Sequence, residues 1–211
     1  MNTIGRLIQD SKNIGEFAKK YAGYISELLR NIDSEALSGF IGEMENARQN
    51  GNTVFFIGNG GSAATASHMV NDFGTGISKK IRGDRPFRVV SLNDNPAVML
   101  AVANDEGYDQ VFVKQLEVLY QPGDKLVAIS ASGNSLNLVN AAEWVKDHGG
   151  SVMSLVGFDG GKLKAMSNVA VHVQSPKGDY GPVEDVHLIL DHLLSYWAQY
   201  QVLEKQSVEK R

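Results

Sequence analysis

Apolar positions recur at helical spacing through the first fifty residues, then give way to short continuous apolar runs. Ile4, Leu7 and Ile8, followed by Phe17, Tyr21, Tyr24, Ile25, Leu28 and Leu29, fall at helical intervals. A polar break at Asn31–Ser34 offers Asp33 or Ser34 as the cap of a second helix through Phe40, Ile41 and Met44, which Gly51-Asn52 ends. The pattern predicts two helices and no strand before residue 50. From Asn52 onward, five runs read as strands: Val54–Ile57, Phe87–Leu92, Lys125–Ser130, Ser151–Val156 and Val169–Val173. Between them lie helical stretches at Ser62–Phe73, Ala97–Ala103, Gln110–Tyr120 and Leu136–His148, with a short helix after Gly161. A long helix over Val183–Leu203 closes the chain, and Glu204–Arg211 reads as a frayed charged tail. Continuous apolar strands joined by helical crossovers are buried on both faces. The expected fold class is therefore α/β: a three-layer, Rossmann-like sandwich with a five-stranded parallel sheet, plus an N-terminal helical arm. The arm, residues 1–50, is expected to form one unit with residues 51–211.

Composition narrows the function. Lys and Arg number 20 against 24 Asp and Glu, a formal charge of −4, which disfavours a nucleic-acid-coating role. Cysteine is absent, which removes disulfide scaffolds, zinc fingers and thiol nucleophiles together. No apolar run approaches the ~20 residues of a membrane span, and no targeting signal opens the chain. A soluble, cytoplasmic protein without membrane partners is expected. Five histidines make any metal or acid/base site a short search.

In parallel α/β sheets, ligands bind beyond the carboxyl ends of the strands, at helix N-termini. Two unusual loops occupy that position: Gly58-Asn59-Gly60-Gly61-Ser62 after the first strand, and Ser130-Ala131-Ser132-Gly133-Asn134-Ser135 after the third. Glycines let backbone N–H groups approach an anion, and serine hydroxyls add donors. The first loop reads equally as a tight strand-to-helix turn, whereas the second is too donor-rich for a simple cap. No Lys follows the glycines as in a Walker A loop, and neither a G-x-G-x-x-G nor a G-x-S-x-G motif occurs. A simple phosphate ester is the expected ligand rather than a nucleotide.

Chemistry-bearing side chains cluster on two helices. His68 and Asp72 are spaced i, i+4, on one face, which suits a divalent metal or a base held by a neighbour. The closing helix carries Glu184, His187, Asp191 and His192 among leucines, and Glu184, His187 and Asp191 form its tightest stripe. His148 and His172 read as structural or surface residues. Asp94, at the end of the second strand, is either a substrate-hydroxyl contact or part of an Asn/Asp turn.

GNGGS after one strand and S-x-SGNS after a later one resemble the sugar isomerase (SIS) domain, over residues 51–211. The helical arm, the Ala-Asn-Asp-x-Gly-Tyr run at 103–108 and the Asp159-Gly160-Gly161-Lys162 turn resemble its phosphoheptose isomerase branch, over nearly the whole chain. The resemblance implies phosphate binding by Ser132 and Ser135, with Ser130 and Ser62 assisting and contacts from Asn59, and Gly60 and Asn134 of the two loops are expected among the substrate-binding residues. It implies a site of His68, Asp72, Glu184 and His192 that holds a divalent metal, zinc being expected, or performs the proton transfers. Three positions depart from the pattern: Asp72 stands where Glu is usual, Glu184 where Gln is usual, and Ala131 where Thr is common.

The expected reaction is aldose–ketose isomerisation of sedoheptulose 7-phosphate to D-glycero-D-manno-heptose 7-phosphate through an enediolate. Asp72 is expected as base and His192 as partner acid/base, with Glu184 as base instead if Asp72 is committed to metal. Two alternatives stay open: a non-catalytic SIS module that binds a sugar phosphate or a partner, as replication-initiation relatives do, and an isomerase of another sugar phosphate. The apolar faces of the arm, including Tyr21, Tyr24, Leu28 and Leu29, point to an oligomer, and the resemblance implies a homotetramer with interfacial active sites.

Overall fold

The computed structural model describes residues 2–81 and 83–209. Helices α1 (Thr3–Gln9), α2 (Ile14–Arg30) and α3 (Ser34–Asn50) precede strand β1 (Thr53–Gly58). Helix α4 (Gly61–Val70) continues into a π-turn at Asn71–Gly76, and then come β2 (Arg88–Ser91) and α5 (Pro96–Asp105). A 3-10 turn at Tyr108–Gln110 leads into α6 (Val113–Leu119) and β3 (Lys125–Ser130). The chain closes with α7 (Leu136–Asp147), β4 (Ser151–Phe158), α8 (Gly161–Met166), β5 (Val169–Gln174) and α9 (Tyr180–Glu209).

All five strands are parallel, in the order β2-β1-β3-β4-β5. The chain goes outward from β1 to β2, then returns past β1 to β3, so the order reverses between β1 and β3. That is the switch point of a doubly wound sheet, the place where the connecting loops part and leave a crevice. Alternation along β1 divides the core. Val54 and Phe56 face a cluster with Met69, Phe73, Val171 and Leu190, while Phe55 and Ile57 face one with Phe112, Leu116, Leu138 and Val145. Every residue of β1 and β3 is buried, so the two loops at the switch point stand on the two most enclosed strands.

The structure corrects several sequence expectations. The arm holds three helices, not two, because Asn13 caps a new helix at Glu16 N while Glu16 Oε2 accepts from Lys12 N. Helix α9 runs on to Glu209 instead of fraying from Glu204. The apolar face of the arm is largely used within the chain. Leu28, Phe40, Ile41 and Met44 join the core, and Tyr21 and Tyr24 donate to Asp185 and Asp179 beside the start of α9. Ile8 and Ile14 of the arm stay exposed, and the largest group of exposed apolar side chains lies on α9, at Leu188, Ile189, Leu193, Tyr196, Trp197 and Tyr200. Among the described residues, no helix is long and apolar enough to cross a membrane.

Candidate active site

The first loop is shaped by close approach. A side chain at Gly58 would stand 2.8 Å from Ala63 N, and Gly60 adopts φ +55, ψ −122, a conformation that suits glycine. Asn59 does not project into the crevice unpartnered. Its Nδ2 donates to Asn137 Oδ1 (3.0 Å), and its Oδ1 accepts from Asn137 Nδ2 (2.9 Å) and from the Tyr108 hydroxyl (2.8 Å). It is a strut that ties the β1 loop to α7 across the switch point. Asn93 does the same work toward β2, exchanging two hydrogen bonds with the backbone of Gly58. Ser62 is buried in the first turn of α4. Asp94 accepts a 2.5 Å hydrogen bond from the Ser67 hydroxyl, which fastens the end of β2 to α4.

The serine-rich loop is locked from inside. Ser130 Oγ accepts from Gly133 N (3.0 Å), and Ser132 Oγ accepts from Asn134 N (3.3 Å). Asn134 spends its amide on the Ser132 carbonyl and on Lys162 N, so its side chain holds the loop to the start of α8. Gly133 sits at φ +63, and the Gly160 carbonyl occupies the space that a Cβ there would need. Ser135 opens α7 and makes no side-chain capping bond. The twelve-residue α7 thus presents its partial positive charge beside a hydroxyl that is not used as a cap, although one first-turn N–H, that of Leu138, already donates to Asn137 Oδ1 and the Ser135 carbonyl. This is the better anion seat, because the N-terminus of α4 already faces a carboxylate, that of Glu184.

Helices α4 and α9 run side by side in the same direction. Glu184 lies against Gly61, and seven residues further along each helix Asp191 lies beside His68. Two turns, about 10 Å of helix rise, therefore separate Glu184 from a cluster that the fold does assemble: His68, Asp72, Asp191 and His192. Each of these four offers one ligand atom within 4.8 Å of the others. Asp72 Oδ2 lies 3.8 Å from His68 Nε2 and 3.8 Å from His192 Nε2, while His68 Nδ1 lies 3.9 Å from Asp191 Oδ2. The two imidazoles meet edge to face, with centroids 5.0 Å apart. Asp72 falls within the π-turn, a feature that recurs at functional sites. Glu184, expected in this set from sequence, does not join it, and Asp191 stands there instead.

Burial and charge set the protonation of the site. Asp191 is 0% exposed with neither carboxylate oxygen hydrogen-bonded among the described residues, and burial with the nearby Asp72 charge raises its pKa to about 7. Burial and the neighbouring Asp185 also raise Glu184. His187 is enclosed one turn before Asp191, and burial pushes it down to about 4, an effect the backbone of Val156 offsets only in part. His148 and His172 keep to structural work: His148 stacks on Trp144, and His172 bonds the Phe158 carbonyl. Sequence spacing alone missed Asn93, Asn137 and Tyr108, whose roles come from contacts between distant segments.

The site as built can seat an anion at the switch point and gather two imidazoles and two carboxylates along α4 and α9. The mixed nitrogen and oxygen donor set fits a divalent cation, and beside it stands the buried Asp191 carboxylate, without a hydrogen-bond partner among the described residues.

The SIS domain model matches residues 17–157. The chain is 39% identical over 146 residues to phosphoheptose isomerase of Helicobacter pylori (strain HPAG1), covering 69% of this chain and 73% of that one. It is 34% identical over 177 residues to the probable phosphoheptose isomerase of Thermoplasma acidophilum, covering 84% of this chain and 94% of the relative. The solved phosphoheptose isomerase of Neisseria gonorrhoeae superposes with a TM-score of 0.79 at 27% identity, over 89% of this chain and all of that one. Sheet order, loop chemistry and these likenesses converge: the chain belongs to the SIS-domain family, in its phosphoheptose isomerase branch.

Proposed function

We propose that this protein is a sugar-phosphate aldose–ketose isomerase that converts sedoheptulose 7-phosphate into D-glycero-D-manno-heptose 7-phosphate. The observation that carries the reading is the presence in one chain of an anion seat at the α7 N-terminus and of a histidine–carboxylate cluster on α4 and α9, two helical turns along α4 from the GNGGS loop. The phosphate is held at the anion seat by Ser132, Ser135 and the α7 N–H groups, so binding energy remote from the reacting carbons positions the carbonyl end.

Asp72 is the base. Its Oδ2 faces the two histidines, while Oδ1 accepts, among the described residues, from Asn71 Nδ2 at 2.9 Å, an exposed neighbour that substrate can displace. Oδ1 takes a proton from C1, the terminal hydroxyl-bearing carbon next to the ketone; the electron pair of that C–H bond forms the C1=C2 double bond and the carbonyl π pair moves onto O2. Return of the proton to C2, with the hydroxyl proton passing from O1 to O2 as the C1 aldehyde forms, gives the aldose. His68, Asp72 and His192 would hold a divalent cation, zinc being the expected one, whose charge stabilises the negative oxygens of the enediolate. His192 serves either as a ligand through Nε2 or as the acid that carries the hydroxyl proton, and activity surviving chelation selects the second role.

The assembly is proposed to be a homotetramer in which copies cover the exposed α9 side chains next to His192, so that active sites lie at interfaces.

Incubation with sedoheptulose 7-phosphate and a panel of other ketose phosphates, with and without chelator, tests the function. Turnover of the seven-carbon substrate supports it, a different preferred substrate replaces it, and binding without any turnover marks a non-catalytic SIS module.

A further inference from the structure

The mechanism above leaves Asp191 unused, yet it is the most enclosed member of the cluster. It is fully buried, and neither oxygen has a hydrogen-bond partner among the described residues. Buried polar groups are almost always paired, because water is lost and nothing replaces it. A carboxylate kept in that state is expected to have a partner that arrives with a ligand or with a small rotation.

The candidate partner is His68. Its ring stands between two carboxylates, one on each nitrogen: Nδ1 is 3.9 Å from Asp191 Oδ2, and Nε2 is 3.8 Å from Asp72 Oδ2. That Asp72 oxygen is also 3.8 Å from His192 Nε2. One side of His68 therefore looks toward the group that could share a cation, and the other looks toward a buried anion behind it. An imidazole binds a metal through an unprotonated nitrogen, and which nitrogen is free is decided by the hydrogen bond that the other one makes.

We propose that Asp191 is a positioning residue: it accepts the Nδ1–H of His68 and thereby presents Nε2 to a divalent cation shared with Asp72 and His192. The present separation is about 1 Å longer than an N–H···O bond, and His68, with a side chain 41% exposed, has room to close it. The inference rests on reading the cluster as a cation site. It differs from the set implied by resemblance, in which Glu184 is a ligand, because Glu184 is seated two turns away against Gly61.

The test uses the full chain stripped of metal, with Zn2+ and Co2+ alone as probes. Asp191→Asn and Asp191→Leu are expected to weaken Zn2+ binding by about 10–100-fold in a chelator competition, while Glu184→Gln stays close to wild type. The saturated Co2+ absorption spectrum is expected to be unchanged in Asp191→Asn, since no ligand is lost. Nitrogen-15 correlation spectra of the metal-free wild type are expected to show His68 as the Nδ1–H tautomer, with that preference lost in Asp191→Leu. Unchanged Zn2+ affinity in both variants, or a lower melting temperature as their only effect, overturns the proposal in favour of a structural role. An altered saturated Co2+ spectrum overturns it in favour of Asp191 as a direct ligand. Failure of the wild type to bind either metal overturns the cation-site reading itself, and this inference with it.

Discussion

Gly61 and Glu184 meet backbone to carboxylate: a side chain on Gly61 would bring Cβ to 2.8 Å from Glu184 Cδ. This contact fixes where the α9 carboxylate sits and keeps it at the N-terminus of α4, where a negative charge is favoured. Glu184→Gln is accordingly expected to leave kcat near the wild-type value, with any change confined to KM for the phosphorylated substrate. A loss of kcat on the order of 10²-fold, the scale of a general acid or base, would return Glu184 to the catalytic set.

His192 and Asp72 are where loss should be severe. His192→Ala and Asp72→Asn are each expected to lower turnover of sedoheptulose 7-phosphate by roughly 10²–10⁴-fold. Binding of an unreactive phosphate ester, followed by calorimetry, is expected to persist, because the α7 seat is separate from the cluster. Wild-type turnover in His192→Ala would sink the assignment.

Much of the scaffold was legible in the sequence. Apolar runs with no polar alternation, such as Phe55–Ile57 and Leu126–Ile129, announce strands covered on both faces, and all five strands are present and parallel. The break at Asn13 was not legible from apolar spacing, since the face continues across it and only the capping hydrogen bonds reveal a new helix. The site was half legible. Periodicity placed His68 and Asp72 on one face, and put Glu184 and Asp191 on one stripe of α9. It could not say which part of that stripe faces His68, because the answer depends on how far α9 slides along α4. Packing of the two helices from Gly61 and Glu184 onward decides it.

Gly133 tests the anion seat. At φ +63 and with Cβ placed 2.7 Å from the Gly160 carbonyl carbon, alanine there is strained in backbone and in space. Gly133→Ala is expected to cost about 1–3 kcal/mol in denaturant unfolding and to raise KM more than it lowers kcat. An unchanged KM would mean that this loop does not hold the phosphate.

His187 gives the fold a pH dependence. Its folded pKa, about 4, lies below the ordinary 6.5, so the unfolded chain binds the proton first as pH falls. Taken alone, this lowers stability progressively as pH falls from about 6.5 toward 4, while Asp191, raised to about 7, contributes with the opposite sign over the same range. His187→Leu removes the first contribution and is expected to raise stability near pH 4 relative to that at pH 7, compared with wild type, measured by urea unfolding at stepped pH. An identical curve in the variant would show that another group governs acid sensitivity.

The π-turn at Asn71–Gly76 has a consequence for how this site can change over evolutionary time. Its hydrogen bonds span one residue more than those of α4, so the turn absorbs a shift in phase within a single rod. Asp72 looks toward the histidines, while Phe73 and Ile77 remain in the core. Such a phase shifter lets the reactive face be retuned, even to a shorter acid, without repacking the interior that carries it.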